Sequence, residues 1–204
     1  EAVRLFLFET PTPLPMVHAA ALSEQAWLLA HQGQPDFALR VLRFGVLPVF
    51  EHHNDIRSQA VTLGQIADIY QARGQLDEAL RIRQEEELPV YQKLGDIRSR
   101  ALTLGKIADI YQARGQLDEA LRIRQKDCLP VFQKLGDIRS RALTLGSIAD
   151  IYQARGQLDE ALRIRQKDCL PVFQKLGDIR SRALTLGSIA DIYQARGQLD
   201  EALR

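Results

Sequence analysis

The stretch from Asp96 to Gly136, DIRSRALTLGKIADIYQARGQLDEALRIRQKDCLPVFQKLG, decides the fold because the chain repeats it. The next stretch, 137–177, differs from it only at Ser147, which replaces Lys106. A third copy starts at Asp178 and continues unchanged to the last residue. Identical pieces build a core only if each packs on its neighbours in the same way, so the sequence predicts a stacked array of repeats.

Glycine and proline mark the same period along most of the chain. The residues that recur every 41 positions are Gly33, Gly74, Gly115, Gly156 and Gly197, and Pro48, Pro89, Pro130 and Pro171. We therefore expect one domain, 1–204, with a divergent first repeat at 16–54, full repeats at 55–95, 96–136 and 137–177, and a partial repeat at 178–204. These are numbered repeats 1 to 5 below.

Each repeat is predicted to form two helices. Apolar residues in its first half recur at intervals of three and four, which is typical of one buried helix face: Ala101, Leu104, Ile107, Ala108 and Tyr111. Asp96 is placed to cap this helix, and Gly115 to end it in a left-handed conformation. Asp118 and Glu119 suit the positive end of a second helix. Both connections are short, so neighbouring helices should run antiparallel.

These residues resemble the tetratricopeptide repeat signature. The matching positions are Leu104, Ile107, Ala108, Tyr111, Gly115, Leu117 and Ala120. The repeat departs from the family in length, because the usual unit has about 34 residues. Longer units of this type are similar to those of kinesin light chains, of the LGN class of polarity adaptors and of sensor arrays on bacterial signalling NTPases. The resemblance implies an all-α, right-handed α-solenoid of antiparallel helix pairs that binds proteins or peptides and is not an enzyme.

The additional length lies in the second helix, which carries Pro130 in its interior. Proline lacks an N–H donor and clashes with the carbonyl four residues back, at Lys126, which costs about 3 kcal/mol in a regular helix. A wider turn relieves that clash, so we predict a one-residue bulge near Asp127 and Cys128 within a continuous, kinked helix. The alternative is a short second helix followed by a separate turn that starts at Pro130.

The two ends of the chain depart from the repeat. Residues 1–15 are predicted to be the remnant of an upstream helix followed by a proline-rich turn, or else Glu1–Phe8 forms a strand or a tag remnant. The first helix of repeat 1 carries Trp27 where later copies carry Asp, as edge repeats commonly diverge. At the far end, an exposed apolar face at Ala195–Arg204 would favour end-to-end stacking of a homo-oligomer, or else mark a truncation.

The predicted binding site lies on the first helices, which line the concave groove in tetratricopeptide arrays. Repetition turns each polar position of this face into a row. The candidate peptide-binding residues are Asp68, Asp109, Asp150 and Asp191; Gln71, Gln112, Gln153 and Gln194; Arg57, Arg98, Arg139 and Arg180; and Lys106, at a polar position held by Gln65, Ser147 and Ser188 in other copies.

Two interpretations of the Asp row remain open. It could be a track for a basic or amide-rich segment, with the Gln side chains bonding the ligand backbone. It could instead pair within the protein, with Asp109 next to Arg98 or to Arg139 of an adjacent repeat. The variable position of Lys106 fits specificity tuning and drift equally well. Chaperone-type partners are disfavoured, because Gly105 and Asp109 replace the Lys and Asn that clamp a terminal carboxylate in that subfamily.

Composition excludes several function classes. The chain has 204 residues, 27 Lys and Arg against 26 Asp and Glu, and a net charge of +1, which argues against a nucleic-acid-binding protein. The basic band on the second helices, which includes Arg81, Arg83, Arg122 and Arg124, has acidic residues one turn away. No run of about 18 apolar residues is present, so a membrane is not an expected partner.

Side chains that could support catalysis or metal binding have simpler explanations. Cys128 and Cys169 occupy equivalent sites one repeat apart, too far for a disulfide, and are expected to be small buried fillers in a cytoplasmic protein. His52 and His53 lack a third ligand, so no metal and no cofactor is expected. We expect a ligand-sensing or scaffold array of a larger, bacterial-type signalling protein. The alternative is an architectural spacer or a self-associating rod.

Overall fold

The computed structural model describes residues 16–202, and every regular element within this range is helical. The predictions for 1–15 lie outside the described residues. The first helices of repeats 1 to 5 are Met16–His31, Ile56–Ala72, Ile97–Ala113, Ile138–Ala154 and Ile179–Ala195. The two predicted helices per repeat are therefore confirmed for repeats 1 to 4, and repeat 5 adds the short helix Leu199–Ala202.

Each second helix consists of an α-helical segment, a π-helical segment and a further α-helical segment. Their bounds are Pro35–Arg40, Val41–Val46 and Leu47–His52 in repeat 1; Leu76–Arg81, Ile82–Glu87 and Leu88–Lys93 in repeat 2; Leu117–Ile123, Arg124–Cys128 and Leu129–Lys134 in repeat 3; and Leu158–Ile164, Arg165–Cys169 and Leu170–Lys175 in repeat 4. The additional residues of the long repeat are thus absorbed within this helix.

The predicted bulge in the second helix is confirmed. In repeat 3 the N–H of Leu129 donates to the carbonyl of Arg124, five residues back, which is the pattern of a π-turn. The backbone at Leu129 stays helical, with φ −57° and ψ −46°. A short helix with a separate turn at Pro130 is therefore wrong. The wider turn comes directly before the proline, where a regular turn would clash.

The predicted helix ends are also confirmed. Asp96 caps the first helix of repeat 3, because its Oδ1 accepts a hydrogen bond from the Ser99 N–H at 2.9 Å. Gly115, which follows that helix, has φ +75° and accommodates the left-handed turn that ends it. Asp118 and Glu119 lie in the first turn of the next helix, as its dipole favours.

The chain forms two compact units, 1–103 and 104–204, and the boundary falls inside the first helix of repeat 3. In unit 1, buried Ala38, Leu42 and Phe50 of the second helix in repeat 1 belong to one apolar core with Ile66 of repeat 2. In unit 2, the core includes Ala149, Ala161, Ile164 and Phe173 of repeat 4 and Ile192 of repeat 5. That 1–204 forms one domain stays a prediction.

Candidate functional site

The Asp row on the first helices is paired with buried arginines. Asp68 Oδ1 accepts a hydrogen bond from Arg83 Nη2 at 2.6 Å, and the later repeats repeat this geometry. The pairs there are Asp109 with Arg124 and Asp150 with Arg165. The expected pairing with an arginine of a neighbouring helix is confirmed, but the suggested partners Arg98 and Arg139 were wrong: each of these Asp residues bonds an arginine of the second helix in its own repeat. The pairing occurs within a helix pair because the second helix packs directly on the first.

The three arginines are buried, although the sequence placed Arg83 and Arg124 in a basic band neutralised by acidic residues one turn away. Arg83, Arg124 and Arg165 are between 2 % and 5 % exposed, and they lie in the π-helical segments. The Nε of each is buried without a hydrogen-bond partner among the described residues. Arg122 of the same band is exposed and bonds Glu119, so its predicted neutralisation by an acidic residue one turn away is confirmed. A buried guanidinium is costly to desolvate, so its Asp partner matters.

The buried arginines were not among the predicted site residues, although the sequence contains a signal for the pair. Repeat 1 carries Trp27 in place of the Asp and Leu42 in place of the Arg. Trp27 is about half exposed and stacks on His31, and Leu42 is fully buried in the core of unit 1. Both charges are thus replaced in the same repeat, which is expected of two residues that need each other.

The predicted Arg row is engaged elsewhere. Arg57 Nη1 donates to Asp96 Oδ2 at 2.7 Å, and Arg139 Nη2 donates to Asp178 Oδ2 at 2.9 Å. Each acceptor is the Asp that caps the first helix of the following repeat. The arginine side chains are more than half exposed, so each pair contributes at most about 1 kcal/mol. Arg98 and Arg180 are also exposed.

The remaining candidate residues lie on the accessible side of the first helices. Gln71, Gln112 and Gln153 are half-buried, and Gln194 and Asp191 are exposed. Lys106 is exposed. At the equivalent position, Ser147 and Ser188 donate to carbonyl groups of their own helices. These bonds leave both serines at the surface.

A pocket of about 210 Å³ opens on the first-helix surface between repeats 4 and 5. The polar and small residues that line it include Gly146, Ser147, Asp150, Arg165, Thr185 and Ser188. About half of the Asp150 side chain is exposed, whereas Arg165 is 5 % exposed. The rim of the pocket is therefore accessible at Asp150, and its base holds the desolvated guanidinium of Arg165.

Cys128 and Cys169 are buried and are not joined in a disulfide, as predicted. Burial raises the pKa of Cys128 and of Cys169 to about 11, so both thiols are protonated at neutral pH. Cys169 Sγ lies 3.4 Å from the carbonyl oxygen of Ala142, to which it donates. His52 and His53 pack edge to face with 5.2 Å between ring centres, and no group of three metal-ligating side chains occurs within residues 16–202.

Comparison with known families gives a match over most of the chain. The family described as "Tetratricopeptide repeat" matches residues 58–126 and 99–167 with one model and 19–43 with another. A search of curated proteins finds no match. None of the helices within 16–202 has the length and apolar character that a bilayer-spanning segment needs.

Solved structures of similar fold cover almost the whole chain. The kinesin-light-chain-type protein of Podosopora anserina, with nearly identical TPR-like repeats, is 25% identical over 93% of this chain and 92% of its own, with a TM-score of 0.70. A signal transduction ATPase of Pyrococcus horikoshii with a tetratricopeptide repeat sensor is 19% identical over 98% of this chain and 31% of its own, with a TM-score of 0.78. Aspartyl phosphate phosphatase F of Bacillus subtilis is 14% identical over 94% of this chain and 58% of its own, with a TM-score of 0.76. The last two likenesses concern the fold alone.

Proposed function

Because this chain belongs to the tetratricopeptide repeat family, we propose that it holds a protein or peptide ligand on the surface of its first helices. It is an all-α helical repeat solenoid, and repeats of this family generally mediate protein–protein interactions. The observation that carries the proposal is the pocket between repeats 4 and 5, where Ser147, Asp150 and Ser188 face solvent over buried Arg165. Polar groups that converge at a pocket are typical of a binding site.

The Gln row and Lys106 are the further candidate contacts of this ligand. A half-buried Gln amide donates and accepts hydrogen bonds, so Gln112 and Gln153 suit the backbone of an extended segment. The Asp residues contribute less attraction for a basic ligand than an unpaired row would, because an arginine already neutralises Asp109 and Asp150. The ligand is therefore held by hydrogen bonds as well as by charge.

The array acts as a ligand sensor or scaffold within a larger signalling protein of bacterial type. What supports a sensor role within a larger protein is the P. horikoshii ATPase, which carries a tetratricopeptide repeat sensor and of which this chain covers 31%. The near-identity of repeats 3 and 4 suits an array whose length changes by whole repeats without a change of fold.

A random dodecapeptide library on beads tests the binding proposal. We expect enrichment of bound peptides over bare beads. Ser147→Trp with Ser188→Trp should fill the pocket rim and weaken binding of enriched peptides at least tenfold. The matched control is Lys126→Trp with Lys167→Trp, at exposed positions of the second helices, which should bind like the wild type. No enrichment, or equal loss in both variants, contradicts the proposal.

The alternative is an architectural spacer or a self-associating rod. The observation that favours it is a group of exposed apolar residues in repeat 5, of which Ile179 is 81%, Leu184 65% and Leu199 60% exposed. Exposed apolar residues of this kind suit contact with a second copy of the chain. Sedimentation that shows concentration-dependent oligomers, without any peptide enrichment, would favour the rod.

A further inference from the structure

Repeat 2 contains a buried carboxylate that later repeats lack. Glu87 is 5 % exposed, and its Oε2 accepts a hydrogen bond from Arg83 Nη1 at 2.7 Å. Its Oε1 accepts a second bond from the Thr103 hydroxyl at 2.8 Å. Arg83 thus holds Asp68 with Nη2 and Glu87 with Nη1. The arginine and the threonine form a two-point site that is filled by the protein's own side chain.

The same site recurs in repeats 3 and 4, but the glutamate does not. Cys128 and Cys169 occupy the position equivalent to Glu87, one and two repeats later. A cysteine has neither the length nor the charge to replace a glutamate carboxylate, and Cys169 Sγ bonds the Ala142 carbonyl instead. The residues that correspond to the Glu87 site, Arg165 and Thr185, both line the pocket between repeats 4 and 5.

The threonine hydroxyl shows that this site adapts to a carboxylate. Thr62, Thr144 and Thr185 each donate to the carbonyl four residues back in their own helix, at 2.8 Å. Thr103, at the equivalent position, donates to Glu87 Oε1. Rotation of one hydroxyl therefore converts a resting bond into a bond to a carboxylate oxygen.

The helix glycine beside the site gives the carboxylate room. A Cβ on Gly64 would lie 3.1 Å from Glu87 Oε1, so a larger residue here would press on the carboxylate. A Cβ on Gly105 or Gly146 would meet nothing within 4 Å. Glycine inside a helix costs stability relative to alanine. In repeats 3 and 4 the protein's own packing does not explain that cost, whereas a ligand oxygen placed like Glu87 Oε1 does.

We propose that Arg165 and Thr185, and likewise Arg124 and Thr144, bind the side-chain carboxylate of a Glu or Asp residue in a peptide ligand. This inference rests on the proposed function and names the chemistry of its ligand. The carboxylate takes the place that Glu87 occupies in repeat 2 and accepts a charge-assisted bond from the arginine Nη1. Asp150 keeps Nη2, as Asp68 does in repeat 2, so the arginine stays oriented.

The two sites are equivalent and one repeat apart in sequence. A peptide whose two acidic residues are spaced like the two sites would engage Arg124 and Arg165 together. Binding at the second site would then be intramolecular. The first-helix surface thus prefers an acidic peptide, although its Asp row alone predicts a basic one.

The direct test uses capped glutamate, N-acetyl-glutamate N-methylamide, as the probe and capped glutamine as the control. Its readout is the arginine side-chain ¹H–¹⁵N spectrum of the full chain. We expect capped glutamate to shift the resonances of Arg124 and Arg165 and to leave Arg83, which Glu87 holds, unchanged. N-acetyl-alanine, which offers only a terminal carboxylate, should shift them less. Equal shifts with glutamine, or none with glutamate, overturn the inference.

The chain supplies its own matched variants. Cys128→Glu with Cys169→Glu places the glutamate of repeat 2 in repeats 3 and 4. This variant should weaken the binding of capped glutamate at Arg124 and Arg165 at least tenfold. Cys128→Ser with Cys169→Ser is the control and should keep it. Glu87→Cys should add Arg83 to the responding residues. If the glutamate variants do not fold, as circular dichroism will show, Thr144→Val with Thr185→Val replaces them and should weaken binding several-fold.

The peptide library separates this inference from the proposed function. If peptides are enriched without acidic residues, and the Cys→Glu variant binds them like the wild type, the carboxylate inference fails and the binding function stands. If no peptide is enriched, the binding function fails, while the capped-glutamate titration still decides whether the arginines take a carboxylate.

Discussion

At the residue scale, the two members of a buried Asp–Arg pair should contribute unequally to stability. Asp150→Ala leaves Arg165, 5 % exposed, without its counter-ion, and we expect a loss of about 3 kcal/mol. Arg165→Leu leaves a carboxylate that is half exposed to water, which should cost only about 1 kcal/mol. The double variant resembles repeat 1, which has Leu42, and should recover much of the loss. Urea unfolding measures all three; equal single losses contradict the asymmetry.

The helix cap at Asp96 gives a pH-dependent prediction. The hydrogen bond from the Ser99 backbone N–H, with Arg57 nearby, lowers the pKa of this carboxyl below its usual 3.8. A lowered folded-state pKa contributes stability above pH 3.8, which is lost as the pH falls through the folded value. Asp96→Asn keeps a good cap but loses the charge, so its deficit should be below about 1 kcal/mol at pH 7 and shrink in acid.

Asp96→Ala is the comparison, because it removes the cap as well and should cost about 1 kcal/mol more. Unfolding curves between pH 7 and pH 2.5 give both deficits. A deficit of the Asn variant that grows toward acid would show that the charge does not stabilise the folded state.

At the element scale, the π-turn keeps the two ends of the second helix in register with the core. Deleting Asp127 from repeat 3 turns the following segment by about 100° and moves Phe132, 3 % exposed, out of its packing. The expected loss is about 3–5 kcal/mol, similar to truncation of a buried Phe. Asp127→Ala keeps the length and removes only a half-exposed pair with Arg122, so it should cost below about 1 kcal/mol. Similar losses would contradict the register argument.

The same helix shows why the sequence predicts some features and not others. The bulge follows from Pro130 and its clash with a carbonyl four residues back, which is a local rule of backbone geometry. The partner of Asp109 depends on which side of the second helix packs against the first, and charge counting along the chain only placed Arg124 in a basic band. Finding the candidate carboxylate site required both the sequence and the structure. The sequence shows Cys128 in place of Glu87, but only the structure shows what Glu87 contacts.

At the scale of the whole molecule, repetition predicts that the chain tolerates removal of one full period. Deleting residues 96–136 joins Gly95 to Asp137, and repeat 2 then meets a copy that differs from its former neighbour only at Ser147. Because repeat-protein stability is a sum of repeat and neighbour terms, we expect the same helicity per residue and a lower unfolding midpoint. Each kcal/mol lost should lower the Tm by about 2–4 °C at this length.

Deleting 34 residues, 96–129, is the matched control, since it removes the period of the ordinary family unit instead. It joins Gly95 to Pro130 and leaves repeat 2 without Thr103, the donor to Glu87. The buried carboxylate then lacks one of its two bonds and the next first helix starts out of phase, so helicity per residue should fall. If both deletions unfold alike, whole periods are not the unit of stability. If both fold alike, the 41-residue phase does not determine how neighbours pack.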